Sequence, residues 1–139
     1  MKILLDTDVI LDFFFDRKPY AEDAAKLLSL AELNQIEVYV TPVIISNVYY
    51  LLRKTASHVQ VVSQLKLLMS IINILLINKE IILLAMNFSF KDFEDALQNY
   101  SAEFDKNIDV IITRNVKDFK ESILSVQTPD EFLKCIHEF

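Results

Sequence analysis

Lys2-Ile3-Leu4-Leu5-Asp6-Thr7-Asp8-Val9-Ile10-Leu11-Asp12 opens with a short apolar run that stops at a carboxylate. A second carboxylate stands two residues on, and an apolar helical pattern then resumes. A strand buried on both faces of a parallel sheet reads as such a run. Open α/β sheets collect ligands at the carboxyl ends of their strands, so this reading puts Asp6 where chemistry occurs. Thr7 or Asp8 also suits a helix N-cap, and capping accounts for one of the residues Asp6, Thr7 and Asp8 but not for all of them.

Helical and extended patterns alternate through the rest of the chain. Glu37–Val40, Asn73–Ile77 and Asp109–Ile112 read as further short strands, with a fifth near Ile123–Val126. Tyr20–Asn34 carries apolar residues at 24, 27, 28 and 31, the spacing of one helix face. Thr41-Pro42 starts a helix that runs to about Lys54, with Thr as N-cap and Pro at the first helical position. Ser57–Ile72, Glu80–Phe88 and Asp92–Phe104 are predicted helices, and Thr128-Pro129 begins the last. Such alternation implies right-handed crossovers and a parallel sheet with helices on both faces. The expected fold class is therefore α/β, three-layered, with residues 1–139 as a single domain.

Composition narrows the function classes. The 139 residues are 53% hydrophobic, too many for a disordered chain and enough for one sizeable core. The uncharged run Leu67–Asn78 is far shorter than the ~18 apolar residues of a membrane span, so it is assigned to the core and no membrane partner is expected. One lysine and four apolar residues before Asp6 make no secretory signal, and a lone Cys135 fits a reducing, cytoplasmic compartment. Cys135, in a terminal helical pattern, reads as a packed or half-exposed thiol. Glycine is absent, which excludes GxGxxG and Walker-type phosphate loops. A net charge of −6 argues against avid non-specific nucleic-acid binding but not against an enzyme whose carboxylates await a metal.

The polar residues that could share a site bear oxygen. Asp6 ends the first strand and Thr113-Arg114-Asn115 ends the Asp109–Ile112 strand. If these strands flank a topological switch point, Asp6 and Asn115 face one crevice. Asn47 sits on an otherwise apolar helix face and reads equally as a hydrogen-bonded core amide or a site residue. Asp92, Asp95 and Asn99 fall in one helical sector, apart from a core stripe of Phe93, Ala96, Leu97, Tyr100 and Phe104; a solvated face is the alternative there. His58 and His137 lie elsewhere without metal-ligand spacing. Carboxylates and amides without His or Cys suit Mg²⁺ or Mn²⁺ and not zinc, and such centres activate water and clamp phosphate oxygens.

The order Leu4–Asp12, Thr41–Leu52, Asp92–Leu97 and Ile111–Phe119, closing on Thr128–Phe132, resembles PIN-domain nucleases, including the VapC-type toxins of bacterial toxin–antitoxin pairs, over nearly the whole chain. The resemblance implies a sheet ordered 3-2-1-4-5 and Mg²⁺- or Mn²⁺-dependent cleavage of single-stranded RNA. It also implies acidic residues at four points around the metal. The first maps onto Asp6, supported by Thr7, and the third onto Asp95, with Asp92 as accessory. The second and fourth map onto Asn47 and Asn115, which bring no charge; Asp8, Asp92 and Asp118 are candidates to make up the deficit.

The leading expectation is a divalent-metal-dependent endoribonuclease, the toxin of a toxin–antitoxin pair. In it Asp6, Asp95, Asp8 and Asp118 hold metal, Asn47 and Asn115 orient water or phosphate, and Thr113 contacts the scissile phosphate. Arg53, Lys54, Arg114, Lys117 and Lys120 are candidates for the RNA backbone, and an antitoxin protein and a second copy of the chain are the expected partners. A second reading, resting on the two amides, is a catalytically weak or inactive PIN-like module that binds RNA or a protein. A third, a haloacid-dehalogenase-like phosphatase, is suggested by Asp6-Thr7-Asp8, but Val9 stands where that family places glycine.

Overall fold

A computed structural model describes residues 1–87 and 90–137, so the predicted helix end at Phe88 and the side chain of His137 lie outside the described residues. A parallel sheet of five strands has the order β3-β2-β1-β4-β5, the order that the resemblance implied. The strands are β1 (Lys2–Leu5), β2 (Glu37–Val40), β3 (Asn73–Ile74), β4 (Val110–Ile112) and β5 (Ser125–Gln127). Helices α1 (Thr7–Phe14) and α2 (Ala21–Glu32) link β1 to β2, and α3 (Pro42–Leu52) and α4 (His58–Met69) link β2 to β3. The pair α5 (Lys79–Met86) and α6 (Phe93–Phe104) leads to β4. A 3₁₀ turn (Val116–Phe119) precedes β5, and α7 (Pro129–His137) follows it. Among the described residues no helix is long and apolar enough to cross a membrane.

The central strand is the most deeply buried: Ile3, Leu4 and Leu5 are all 0% exposed. Its register places Leu5 beside Ile112 of β4, and the ladder continues one residue further, with the Asp6 N–H donating to the Ile112 carbonyl at 3.0 Å. The chain leaves β1 toward β2 on one side, whereas β4 lies on the other. The point between β1 and β4 is therefore the switch point at which an open sheet parts its crossovers and forms a crevice.

Helix starts follow local chemistry. Thr41 Oγ1 accepts the Ile44 N–H at 3.2 Å with Pro42 in the first turn of α3, and Ser57 and Gln60 form a reciprocal capping box on α4. Ala24, Leu27, Leu28 and Ala31 of α2 are buried as their spacing predicted.

Three expectations are corrected. The third strand pairs only over Asn73 and Ile74, opposite Tyr39 and Val40, because β2 ends there and α3 turns away. The fifth strand is Ser125–Gln127, with Ile123 85% exposed before it. The run Leu67–Asn78 divides, with Leu68, Ile72 and Leu75 in the core and Leu67 and Leu76 exposed. Among the described residues, Asp16, Asn34 and Lys106 turn the chain through positive φ (50°, 59° and 46°), the work that glycine usually does.

Candidate metal centre

Asp6 occupies the switch point. Its backbone is extended, and as the N-cap of α1 its Oδ1 accepts the Thr7 N–H at 2.7 Å. Its Oδ2 accepts the Thr113 hydroxyl, also at 2.7 Å, across a sequence separation of 107 residues. Capping and site readings of Asp6 thus coincide, one oxygen for each. Asp6 is 7% exposed, and burial raises its pKa above the ordinary carboxylate range; hydrogen bonding from Thr113 and the approach of Gln98 oppose the rise, and Asp118 adds to it.

Three further carboxylates feel Asp6. Burial and then Asp6 push Asp95, in the first turn of α6, up to about 7, with Asp92, Asp118 and Glu94 adding to it. Asp8, in the first turn of α1, is raised to about 7 by burial and Asp6, against the Arg114 charge. Glu94 is raised by burial, Asp92 and Asp6, while Asn47 and Thr7 hydrogen bonding lowers it. The carboxylates of β1, α1, α6 and the 3₁₀ turn therefore share one electrostatic centre, with Asp6 as its hub.

The surface over this centre has two concavities. Asp92, Asp95 and Asp118 line a cleft of about 540 Å³ together with Lys91, Lys117 and Lys120. Thr7, Asn47, Lys54 and Glu94 line a neighbouring recess of about 380 Å³. Asp92 also caps α6, its Oδ1 accepting the Asp95 N–H at 3.0 Å.

The sequence-predicted residues divide in an informative way. Asp6, Asp95, Asp92 and Asp118 are brought together. Asn47 is half-buried beside Glu94 and not against Asp6. Asn115 does not project toward Asp95: its Nδ2 donates to Asp8 Oδ2 at 3.0 Å, and it lines a separate concavity with Tyr20 and Asp130. The carboxylate that acts on Asp6 and Asp95 from the end of β4 is Asp118, three residues further on in the 3₁₀ turn. Thr113 is 0% exposed, so its hydroxyl lies behind Asp6 and not against a phosphate. Arg114 is no free backbone cation. Its Nε and Nη2 grip Asp12 at 2.7 and 3.1 Å, and its guanidinium stacks 4.2 Å over the Tyr20 ring. His58 accompanies Tyr49, at 2.8 Å, away from the centre.

Sequence reasoning passed over Glu94 and Gln98. They stand at i and i+4 on α6, with Ser101 completing a polar line at i+7, a spacing that was readable. The core stripe assigned to α6 hid them. The helix instead buries Ala96, Leu97, Gln98, Asn99, Ser101 and Ala102, while Phe93 and Phe104 are nearly half exposed. α6 packs against α5 and the 3₁₀ turn, which favours small side chains at the contact and leaves the rings at its ends.

Among the described residues no group of three or more His, Cys, Asp or Glu side chains closes into a metal-ligand shell. The donor chemistry nonetheless fits a hard divalent cation. All the donors are oxygens, burial first and neighbouring carboxylates second raise their pKa values, and Asp8 Oδ1 is buried without a hydrogen-bond partner among the described residues.

The PIN-domain profile matches residues 2–117. Among proteins of curated function, none matches the sequence. In solved structures the chain is similar to VapBC-1 from nontypeable Haemophilus influenzae, with a TM-score of 0.69 and 21% identity, over 94% of this chain and 99% of that one. It is also similar to VapBC2 from Rickettsia felis, a structure bound to a DNA fragment from their promoter, with a TM-score of 0.67 and 16% identity, over 92% and 98% of the two chains. FitAB bound to the IR36 DNA fragment gives a TM-score of 0.64 at 16% identity, over 91% and 94%.

Proposed function

Because the chain belongs to the PIN-domain family, we propose that it is a Mg²⁺- or Mn²⁺-dependent endoribonuclease that hydrolyses single-stranded RNA, and the toxin of a toxin–antitoxin pair. The observation that carries the reading is the buried Asp6 at the switch point, its two oxygens fixed at 2.7 Å by the Thr7 N–H and the Thr113 hydroxyl, with Asp92, Asp95 and Asp118 lining one cleft. An assembly of like charges is unfavourable unless a cation accompanies it. A family profile and structures named for two-component assemblies support the toxin reading. Single-stranded RNA, an antitoxin protein and a second copy of the chain are its partners, in the cytoplasm.

Asp6 and Asp95 hold the metal in this reading, with Asp118 and Asp92 lining the cleft and Asp8 adding its charge from the first turn of α1. A bound Mg²⁺ or Mn²⁺ supplies Lewis-acid polarisation of the phosphodiester and eases deprotonation of the attacking water. Thr113 and the Thr7 N–H fix the Asp6 carboxylate, so its orientation is set before substrate arrives. Lys91, Lys117 and Lys120 line the cleft that Asp95 and Asp118 share, where they suit the flanking phosphates of a strand laid across the carboxylates. The inactive-module reading rested on lost charge at Asn47 and Asn115; Asp118 and Glu94 weaken that ground, since both act on the same centre.

Incubation of labelled single-stranded RNA with the metal-free protein tests the proposal. Cleavage is expected on adding Mn²⁺ or Mg²⁺, none in EDTA, and none from Asp6→Ala or Asp95→Asn. Equal cleavage by Asp6→Ala and the parent overturns it.

A further inference from the structure

Asn47, Tyr50, Leu51 and Lys54 recur at i, i+3, i+4 and i+7, so α3 and the turn after it present them as one stripe. The stripe lines the recess of about 380 Å³ together with Thr7 and Glu94, which are joined by the Thr7 hydroxyl donating to Glu94 Oε1 at 3.4 Å. The recess adjoins the carboxylate at the switch point, because the Thr7 N–H is the donor to Asp6 Oδ1 at 2.7 Å. Its volume is that of a site for one small ligand.

Tyr50 is the unusual member. At 67% it is the most exposed aromatic side chain among the described residues, yet its ring is braced. Tyr49 stands edge-on to it, with centroids 5.0 Å apart and planes at 83°. Tyr49 is itself half-buried against the core, and its hydroxyl lies 2.8 Å from His58 Nδ1. Such bracing takes up rotamer freedom before a ligand arrives and so lowers the cost of stacking on the open ring. Surface aromatics scattered singly are ordinary; one braced from behind and set in a polar recess is not. The two basic residues that end α3 differ in the same sense. Arg53 is engaged locally, its Nη1 donating to the Ala56 carbonyl at 2.9 Å. Lys54 makes no ion pair among the described residues and lines the recess one turn from Tyr50.

We propose that Tyr50 and Lys54 form a nucleotide subsite beside Asp6, in which the Tyr50 ring stacks one base of a single-stranded RNA and Lys54 holds an adjoining phosphate. The inference rests on the RNA substrate of the reading above and not on its metal. Every base offers a π-face, so the stack tolerates sequence, while Asn47 and Glu94 supply polar groups for the edge of the base.

Fluorescence anisotropy of end-labelled single-stranded oligoadenylate, titrated with the full chain in EDTA, reads binding with metal-dependent cleavage suppressed. Tyr50→Ala is expected to weaken binding roughly tenfold and Tyr50→Leu nearly as much, whereas Tyr50→Phe and Tyr50→Trp should stay within about threefold of the parent, since the ring carries the contact. Lys54→Ala should lower the slope of log affinity against log salt by about 0.7, the share of one phosphate on a single strand. A strand of the same length without bases should bind parent and Tyr50→Ala alike. Circular dichroism confirms that each variant is folded. Equal affinity of parent and Tyr50→Ala for oligoadenylate overturns the inference, and cleavage by the parent in Mn²⁺ then leaves the nuclease reading standing. An equal loss on the strand without bases overturns the stacking assignment. Displacement by adenosine monophosphate at the concentration at which the oligonucleotide itself binds assigns the recess to a free nucleotide and overturns the strand. A parent that binds no single-stranded RNA overturns both readings.

Discussion

Asp6 divides one carboxylate between two structural tasks and still raises the pKa of its neighbours. The consequence is a measurable pH dependence. Asp95 is raised to about 7 from its ordinary value of 3.8, so the folded chain holds that proton more tightly than the unfolded chain does. The stabilisation is complete below the unfolded value and is lost as pH rises through about 7. The melting temperature of the metal-free protein should therefore fall between about pH 4 and pH 7, and Asp95→Asn should make that fall shallower. Thermal unfolding followed by circular dichroism across this range decides it, and parallel pH profiles for parent and variant would reject the assignment. Divalent metal competes with the same proton, so its addition should stabilise more at the alkaline end.

Elements are tied to the centre by contacts that sequence spacing does not reveal. Asp12, 1% exposed on the inner face of α1, receives the two-pronged Arg114 from the end of β4, and Arg17 adds a looser contact at 3.6 Å. This pair ties the end of α1 to the segment that carries Thr113, and the Arg114 N–H, donating to Asp8 Oδ2 at 3.2 Å, ties the start of the helix to the same segment. Truncating one partner of a buried ion pair leaves an uncompensated charge. Arg114→Ala should cost about 3 kcal/mol in urea denaturation, whereas Arg17→Ala, at an exposed contact, should cost below ~1 kcal/mol. What the sequence made legible follows the same division. β1 and β4 were readable because burial on both faces leaves an unbroken apolar run, and α3 because Thr41 and Pro42 announce its start. Arg114 was not, since its partner lies 102 residues away and an arginine beside an asparagine looks like any surface cation. The buried face of α6 was misjudged because its two packing partners favour Ala96, Ser101 and Ala102 over the rings of Phe93 and Phe104.

At the scale of the whole molecule, the sheet order brings Asp6, Glu94, Asp95 and Asp118 to one edge from distant parts of the chain. Asp6 and Asp95 were identifiable in the sequence. Asp118 was named there only as one of several candidates to make up the charge that Asn115 lacks; its place in a 3₁₀ turn after β4, from which it acts on Asp6 and Asp95, was not readable. The absence of glycine acts on the state that the fold starts from. Every residue carries a Cβ, so the unfolded ensemble is stiffer and loses less backbone entropy on ordering than a chain punctuated by glycines. The compensating cost falls at left-handed positions. Asn34 and Asp16 tolerate that region through short polar side chains, but Lys106, directly after the α6 cap, has no such relief. Lys106→Gly should raise stability by about 0.5–1 kcal/mol, read as a shift of the denaturation midpoint with unchanged slope. The gain would come from relieved backbone strain at one position, and it would be smaller than the strain itself because the new glycine loosens the unfolded chain.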